Sequence, residues 1–86
     1  LDLVFTEPIF GRAPVGVVVE VKARSGTGFG DPLEAITDIK QQRLRTLAAL
    51  WRRDSGLILS GLRVDAVGVL KEPGQAPVLR HLRGLP

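Results

Sequence analysis

Cysteine is absent from this 86-residue chain, which excludes a disulfide framework and any metal site built from thiolates. A reducing compartment is compatible with that absence, and we expect a cytoplasmic protein. Long hydrophobic runs are also missing, since no segment approaches the ~20 apolar residues that a membrane-spanning helix requires. We therefore expect no membrane partner.

Methionine is absent as well, and the chain opens at Leu1 directly in a run of alternating apolar and polar residues. We interpret this opening as that of a protein whose start precedes the printed sequence, so that an element covering part of the core is missing. The length suits one small domain, predicted to span residues 1–86.

Positive charge exceeds negative charge, with 12 Lys and Arg against nine Asp and Glu and a net charge of +3. The sequence isoelectric point of about 10.2 points in the same direction. A basic balance favours polyanionic partners such as nucleic acid, although many small arginine-rich domains never bind DNA.

Two strands are predicted in the first part of the chain. Residues 1–6 alternate apolar and polar side chains, as a half-buried strand does. Residues 7–14 contain two prolines and a glycine and are interpreted as a connecting loop. Residues 16–24 are β-branched with period two, so they give the clearest strand signal. One face of that strand is wholly apolar, and the other becomes polar towards its end.

A helix is predicted from Asp31 to about Arg53. Asp31 is the expected N-cap, Pro32 takes the first helical position and Glu34 takes the capping-box position. At about 100° per residue, one stripe of the helix is mainly apolar and should face a sheet. Its members are Ile36, Thr37, Lys40, Leu44, Leu47, Ala48 and Trp51.

Two more strands are predicted at residues 62–70 and 78–82, joined by a turn at residues 72–75. The resulting order is strand, strand, helix, strand, strand. This order predicts an α/β fold with one long helix on one face of the sheet.

Glu20 and Lys22 carry the strongest chemical signal. Residues two apart in a strand project from the same face, so this carboxylate and this ammonium should lie side by side. Asp2 lies in the preceding strand and would approach Glu20 if the two strands pair as a hairpin. Neighbouring carboxylates repel unless a cation neutralises them, and Mg²⁺ prefers carboxylate and phosphate oxygens. Such an ion could activate a water for attack on a phosphate while Lys22 orients that water. Spacing alone nevertheless favours the competing interpretation, a solvated Glu20–Lys22 ion pair.

Lys40 lies near the centre of the apolar helix stripe, where a charged side chain is costly unless its head reaches water or an anion. One interpretation is a long stem that extends to the edge of the sheet. The other is a lysine directed across the sheet at the reactive centre or a phosphate. Arg24, Arg43 and Arg45 could follow a phosphate backbone, with simple solvation as the alternative for each.

Three further features receive structural interpretations. Asp65 is expected to pair with Arg63 in the same strand, the alternative being support of the metal site from the neighbouring strand. His81 is interpreted as structural. The glycines of residues 26–30 precede a helix, but they lack the spacing of a nucleotide-binding fingerprint.

Three segments of the sequence form a specific pattern, namely residues 2–4 (DLV), 19–25 (VEVKARS) and 29–36 (FGDPLEAI). In this pattern, and over nearly its whole length, the sequence resembles the YraN-like family of restriction-endonuclease-like proteins. Lys40, the pair Arg43-Leu44 and the triplet Arg63-Val64-Asp65 also stand where that family's pattern has them.

The resemblance implies a restriction-endonuclease-like fold of the PD-(D/E)xK type, with a mixed β-sheet and with the N-terminal helix missing from this chain. It implies Asp2 and Glu20 as ligands of Mg²⁺ or Mn²⁺ and Lys22 as the base that positions water, and we add Lys40 as a catalytic residue. The family pattern also has a glutamate two residues before the position of Asp2. The segment between Asp2 and Glu20 is longer than usual, which predicts an extended hairpin loop, and Ala23 stands where threonine is common.

Three functional hypotheses follow. The first is a metal-dependent endonuclease that cuts nucleic acid, with DNA in repair or recombination as the expected substrate. The second is a module that keeps the nuclease fold and binds nucleic acid without cutting it. The third is an interaction module with a relic site, for which a homodimer is the expected form.

Overall fold

The structure is a computed structural model that describes residues 3–25 and 36–85. These residues form β1 (Leu3–Ile9), β2 (Arg12–Ser25), α1 (Asp38–Ser55), β3 (Gly61–Lys71) and β4 (Val78–Leu82). The strands make one sheet in the order β1-β2-β3-β4. β2 and β3 are parallel, as a strand–helix–strand crossover requires, while β1 and β4 are antiparallel to their neighbours. The predicted α/β class and order of elements are confirmed.

β1 and β2 form a long hairpin, so the predicted loop at residues 7–14 is wrong. Pairing continues to Ile9, and only Phe10 and Gly11 form the turn, with Gly11 at φ +72°. A glycine adopts this left-handed conformation without steric cost. Pro8 is tolerated because it lies where the register shifts, between Glu7 and Ile9. The extra length before Glu20 therefore extends the strands and not the loop.

α1 begins at Asp38, later than predicted. Thr37 is its N-cap, with extended backbone angles (φ −79°, ψ 168°) and a hydroxyl that accepts a hydrogen bond from the Lys40 amide at 3.4 Å. The predicted N-cap, Asp31, lies outside the described residues. Ile36 and Thr37 are not helical, however, so a continuous helix from Asp31 to Arg53 is wrong. Thr37 can cap the helix because its hydroxyl satisfies an amide of the first turn.

Two glycines with positive φ lie where α1 ends and where the chain turns between β3 and β4. α1 ends at Ser55, and Gly56 follows at φ +69°, the usual left-handed termination of a helix. Between β3 and β4 the Gln75 amide donates to the Glu72 carbonyl at 3.1 Å, and Gly74 lies at φ +75°. This turn and the bounds of β4 agree with the sequence-based prediction.

One hydrophobic cluster lies between α1 and one face of the sheet. Leu44 and Ala48 are buried against Val18 of β2 and Val64 of β3. The part of the predicted stripe at Leu44 and Ala48 therefore faces the sheet as expected. Partly buried side chains complete this cluster: Trp51, Leu62 and Leu85. In the part of the chain that the structure describes, no helix is long and apolar enough to cross a membrane.

Candidate functional site

Glu20 and Lys22 lie side by side on the helix-bearing face of β2. The Lys22 Nζ is 3.0 Å from Glu20 Oε1, and the two side chains are 32% and 18% exposed, respectively. They share a face with the core residue Val18 because residues two apart in a strand point the same way. The juxtaposition predicted from their spacing is present, and it takes the form of an ion pair.

An open pocket of about 240 Å³ lies beside this ion pair, between β2 and α1. α1 runs antiparallel to β2, since Trp51 near the helix end lies against Gly16 while the early helix residues lie near Lys22. The described residues that line the pocket are Glu20, Lys22, Ile36, Lys40, Arg43, Leu44 and Leu47.

Lys40 and Arg43 thus reach the same pocket as Glu20 and Lys22, although they are about 20 residues away along the chain. Both helix residues are exposed, so their charged heads retain access to water. Lys40 lines the pocket and is exposed, which agrees with either interpretation of this lysine. Among the described lining residues, three cations accompany a single carboxylate, so the pocket favours an anionic group.

Asp2 lies outside the described residues, and its approach to Glu20 stays a prediction. The residues that follow Asp2 show how β1 pairs with β2. Leu3 pairs with Val19, and Val4 pairs with Val18. β1 is therefore the neighbour of β2 in the hairpin arrangement on which the prediction depends.

Arg24 and Arg45 do not join the pocket. Arg24 is exposed on β2, two residues beyond Lys22 and on the same face by alternation. The Arg45 Nη2 donates to the Leu85 carbonyl at 3.1 Å, on a different side of α1. Its guanidinium helps to hold the C-terminal segment against the helix, a role that the sequence did not suggest.

Asp65 is the centre of a second polar cluster, on the sheet face opposite the pocket. It is fully buried and accepts hydrogen bonds from Arg63 Nε (2.8 Å), Arg63 Nη2 (3.0 Å) and the Gly84 amide (2.9 Å). His81 Nε2 lies 2.9 Å from Asp65 Oδ2. Arg63 also donates to both carboxylate oxygens of Glu7, at 3.3 and 3.1 Å. The cluster links β1, β3 and β4.

The expected pairing of Asp65 with Arg63 and the structural interpretation of His81 both agree with this arrangement. Support of the Glu20 site by Asp65 does not, because the two carboxylates project from opposite faces. The register between the strands decides this: Asp65 pairs with Val19, which points to the opposite face from its neighbour Glu20. Glu7 and the Gly84 amide were not anticipated, because only the strand order brings them to Arg63 and Asp65.

The cluster shifts the proton affinities of its members. Burial alone would raise the pKa of Asp65, but the hydrogen bonds from Arg63, the Gly84 amide and His81 outweigh burial and lower it to about 2. The hydrogen bond and charge of Arg63 also lower the pKa of Glu7. Hydrogen bonds to Asp65 and Glu7 raise the pKa of Arg63 above its ordinary range. All three groups are therefore ionised at neutral pH.

Residues 3–25 and 36–85 form an α/β arrangement with a mixed four-stranded sheet, one helix packed on it and a cationic pocket at their junction. The model of the uncharacterised protein family UPF0102 matches residues 1–69. The chain belongs to this family, which is the YraN family that its motifs indicated.

Several curated proteins are similar to this chain in sequence. A UPF0102 protein of Renibacterium salmoninarum is 56% identical over 69 residues, which cover 80% of this chain and 58% of that protein. A UPF0102 protein of Leifsonia xyli is 49% identical over 71 residues, or 83% of this chain and 60% of that protein. One of Clavibacter michiganensis is 43% identical over 83 residues, or 96% and 66%. The chain spans little more than half the length of the first two relatives.

No solved structure shows significant similarity to the chain. The α/β architecture thus stands on the strands and helix described above. The assignment of this architecture to the restriction-endonuclease-like fold stays a prediction.

Proposed function

We propose that this chain carries the reactive centre of a metal-dependent endonuclease that hydrolyses phosphodiester bonds in nucleic acid. DNA undergoing repair or recombination is the proposed substrate, and the cytoplasm the proposed location. One observation carries the proposal: the Glu20 carboxylate and Lys22 ammonium, 3.0 Å apart, border a pocket that Lys40 and Arg43 also line. This combination offers a hard oxygen ligand, a water-orienting ammonium and phosphate-binding cations within one small volume.

The described donor set fits Mg²⁺ or Mn²⁺ in part. Glu20 supplies one partly exposed carboxylate, and Mg²⁺ commonly uses only one or two carboxylates together with water and substrate phosphate. Within residues 3–25 and 36–85 no group of three or more His, Asp or Glu could hold a metal ion. Asp2 is the proposed second ligand. When bound, the ion would polarise the phosphate and lower the pKa of a coordinated water.

The remaining chemistry falls to the cations of the pocket. Lys22 would orient the attacking water and offset the negative charge that develops on the phosphate. Lys40 would hold the same phosphate from the helix, and Arg43 can bind phosphate oxygens with two parallel hydrogen bonds. Because α1 packs on the sheet that contains β2, Lys22 and the two helix cations would approach the phosphate from two rigid elements.

A second candidate is a nucleic-acid-binding module that keeps the fold without cutting. The charge of the pocket favours it, since three cations accompany one described carboxylate that is already paired with Lys22. Such a pocket binds phosphate without needing a metal ion. This alternative requires binding that survives the loss of Glu20, whereas the nuclease requires Glu20 for cleavage.

A cleavage assay on full-length protein separates the two candidates. With Mg²⁺ or Mn²⁺ and labelled DNA, Glu20→Gln and Lys22→Ala should each reduce the cleavage rate by about hundredfold or more. Glu72→Gln and Lys71→Ala are matched controls, because they make the same chemical changes at the end of β3 and just after it, outside the pocket. Cleavage that is independent of metal, or equally affected by pocket and control variants, would refute the nuclease proposal.

Calorimetric titration with Mn²⁺ tests the metal site without relying on activity. The full-length wild type should bind the ion, and Glu20→Gln should weaken binding by tenfold or more because a carboxamide oxygen carries no negative charge. Glu72→Gln should bind Mn²⁺ as the wild type does. Heat of binding that is the same for Glu20→Gln and wild type would exclude Glu20 as a ligand.

A further inference from the structure

The lining of the pocket beside Glu20 combines two kinds of side chain. Lys22 of β2 and Lys40 and Arg43 of α1 are cationic, and Glu20 of β2 is the carboxylate among the described lining residues. The aliphatic wall is formed by Ile36, Leu44 and Leu47, on the same side of the pocket as Lys40 and Arg43. A group that only neutralised the cations would leave the aliphatic wall in water.

Leu47 is the informative residue of the aliphatic wall. Leu44 is buried in the core, at 6% exposure, whereas Leu47 keeps 38% of its surface exposed. The helix periodicity places Leu47 in the same stripe as Leu44, but Leu47 is not part of the buried cluster that contains Leu44. Leu47 thus presents apolar surface to the pocket, where a ligand can bury it.

The size of the pocket limits what can enter. Its volume of about 240 Å³ lies below the ~300–1,000 Å³ of most small-molecule sites, so the part of a ligand that it encloses is no larger than about one nucleotide. An intact duplex presents phosphates and sugars on its outside, while its bases remain stacked and paired inside. Only a nucleotide released from pairing can place a phosphate against the cations and an apolar ring face against Leu47.

We propose that this pocket binds one unpaired nucleotide, so that the preferred substrate is DNA with a gap, flap or other single-stranded position next to the cut. The phosphate contacts Lys40 and Arg43, and the base packs on Leu47 and Ile36. This inference rests on the proposed function, since it names the form of DNA that the same site accepts. The aliphatic wall gives contact without hydrogen-bond readout, so the preference is for unpaired structure and not for base identity.

Fluorescence anisotropy on full-length protein tests the inference. The Glu20→Gln background with Mg²⁺ keeps the DNA intact, and the probes are a duplex, the same duplex with a two-nucleotide gap, and the single strand. The gapped duplex and the single strand should bind at least about tenfold more tightly than the intact duplex, because they avoid the cost of unpairing a base. Adding Leu47→Asn should reduce this preference by about fivefold and leave intact-duplex affinity unchanged.

Leu50→Asn is the matched control. Leu50 lies on the same helix and is 39% exposed, against 38% for Leu47, but it does not line the pocket. The two substitutions should therefore lower the melting temperature similarly, and only Leu47→Asn should alter DNA preference. Thermal unfolding of both variants checks that neither has lost its fold.

The outcomes separate this inference from the proposed function. If the wild type cuts DNA but binds intact and gapped duplexes equally, or if Leu47→Asn and Leu50→Asn behave alike, the unpaired-nucleotide inference is overturned and the nuclease proposal stands. If the protein neither binds nor cuts any of the three DNAs, both are overturned.

Discussion

Substitution of Asp65 by asparagine should destabilise the protein by about 2–4 kcal/mol. Asp65 is fully buried and accepts hydrogen bonds from Arg63, the Gly84 amide and His81. An asparagine keeps one acceptor oxygen and turns an NH₂ group towards the remaining donors. Removing one partner of a buried ion pair commonly costs about 3–5 kcal/mol. We expect a smaller loss because Arg63 is 22% exposed and keeps its contact with Glu7.

The assay is equilibrium urea unfolding followed by the fluorescence of Trp51, the sole tryptophan of the chain, which packs against the core cluster. Asp54→Asn serves as the control. Asp54 also pairs with an arginine, Arg53, at 3.2 Å, but the two side chains are 69% and 72% exposed. An exposed pair contributes less than about 1 kcal/mol, so this control should unfold almost as the wild type does.

The pH dependence of the same variant gives an independent check. Hydrogen bonds lower the pKa of Asp65 from its ordinary value of 3.8 to about 2. A carboxylate with a lowered folded-state pKa stabilises the protein above the unfolded-state value, and this contribution is lost as pH falls towards the folded-state value. At 1.36 kcal/mol per pKa unit the contribution is about 2 kcal/mol. The stability advantage of wild type over Asp65→Asn should therefore shrink by about that amount between pH 5 and pH 2.

Two results would refute the reasoning about Asp65. One is a loss of stability no larger than that of Asp54→Asn. The other is a constant difference between wild type and Asp65→Asn over the range from pH 5 to pH 2. Either would mean that the cluster does not hold a buried charge in the folded protein.

Two further predictions concern the packing of α1 and the assignment of its arginines. Gly16→Ala should destabilise the protein by about 1–3 kcal/mol in urea unfolding, because the added Cβ would lie 2.8 Å from Trp51 Cζ3. Gly61→Ala is the control, because a Cβ at that position meets no atom within 4 Å. An equal loss of stability in the two variants would contradict the packing of Trp51 on Gly16. Arg43→Gln should weaken DNA binding and reduce its salt dependence by about one phosphate contact, while Arg45→Gln should do so less because Arg45 is bound to the C-terminal segment. Equal effects on the salt slope would place both arginines at the DNA.

A homodimer remains a prediction from the sequence. Size-exclusion chromatography of the full-length protein with light scattering checks it by giving the mass in solution. A monomer across the micromolar range would exclude the homodimer under those conditions.

The sequence alone determined the order of elements and the face on which the candidate site lies. β-strand periodicity placed Glu20 and Lys22 side by side, and helix periodicity placed Leu44 and Ala48 against the sheet. These features depend on residues close together in the chain, where backbone geometry fixes direction. The motifs were equally local, and they indicated the UPF0102 family, to which the chain belongs.

Local signals failed where two of them competed. The prolines at residues 8 and 14 favoured a loop, but pairing across the hairpin continues to Ile9 and Arg12, on either side of a two-residue turn. Asp31 gave a strong capping signal, yet Thr37 caps the helix that packs on the sheet. Only the tertiary contacts of each segment decide such competitions, because propensities differ by about 1 kcal/mol or less.

Only the tertiary structure decided which distant charges meet. Lys40 and Arg43 line the same pocket as Glu20 because α1 crosses antiparallel over β2. Glu7 of β1 contacts Arg63 of β3 across the strand between them, β2, because the strand order is β1-β2-β3-β4. Arg45 carries the same charge as Arg43 two residues away, yet it faces the C-terminal segment. Side-chain chemistry is written in the sequence, but proximity between elements follows from strand order and from the angle at which the helix packs.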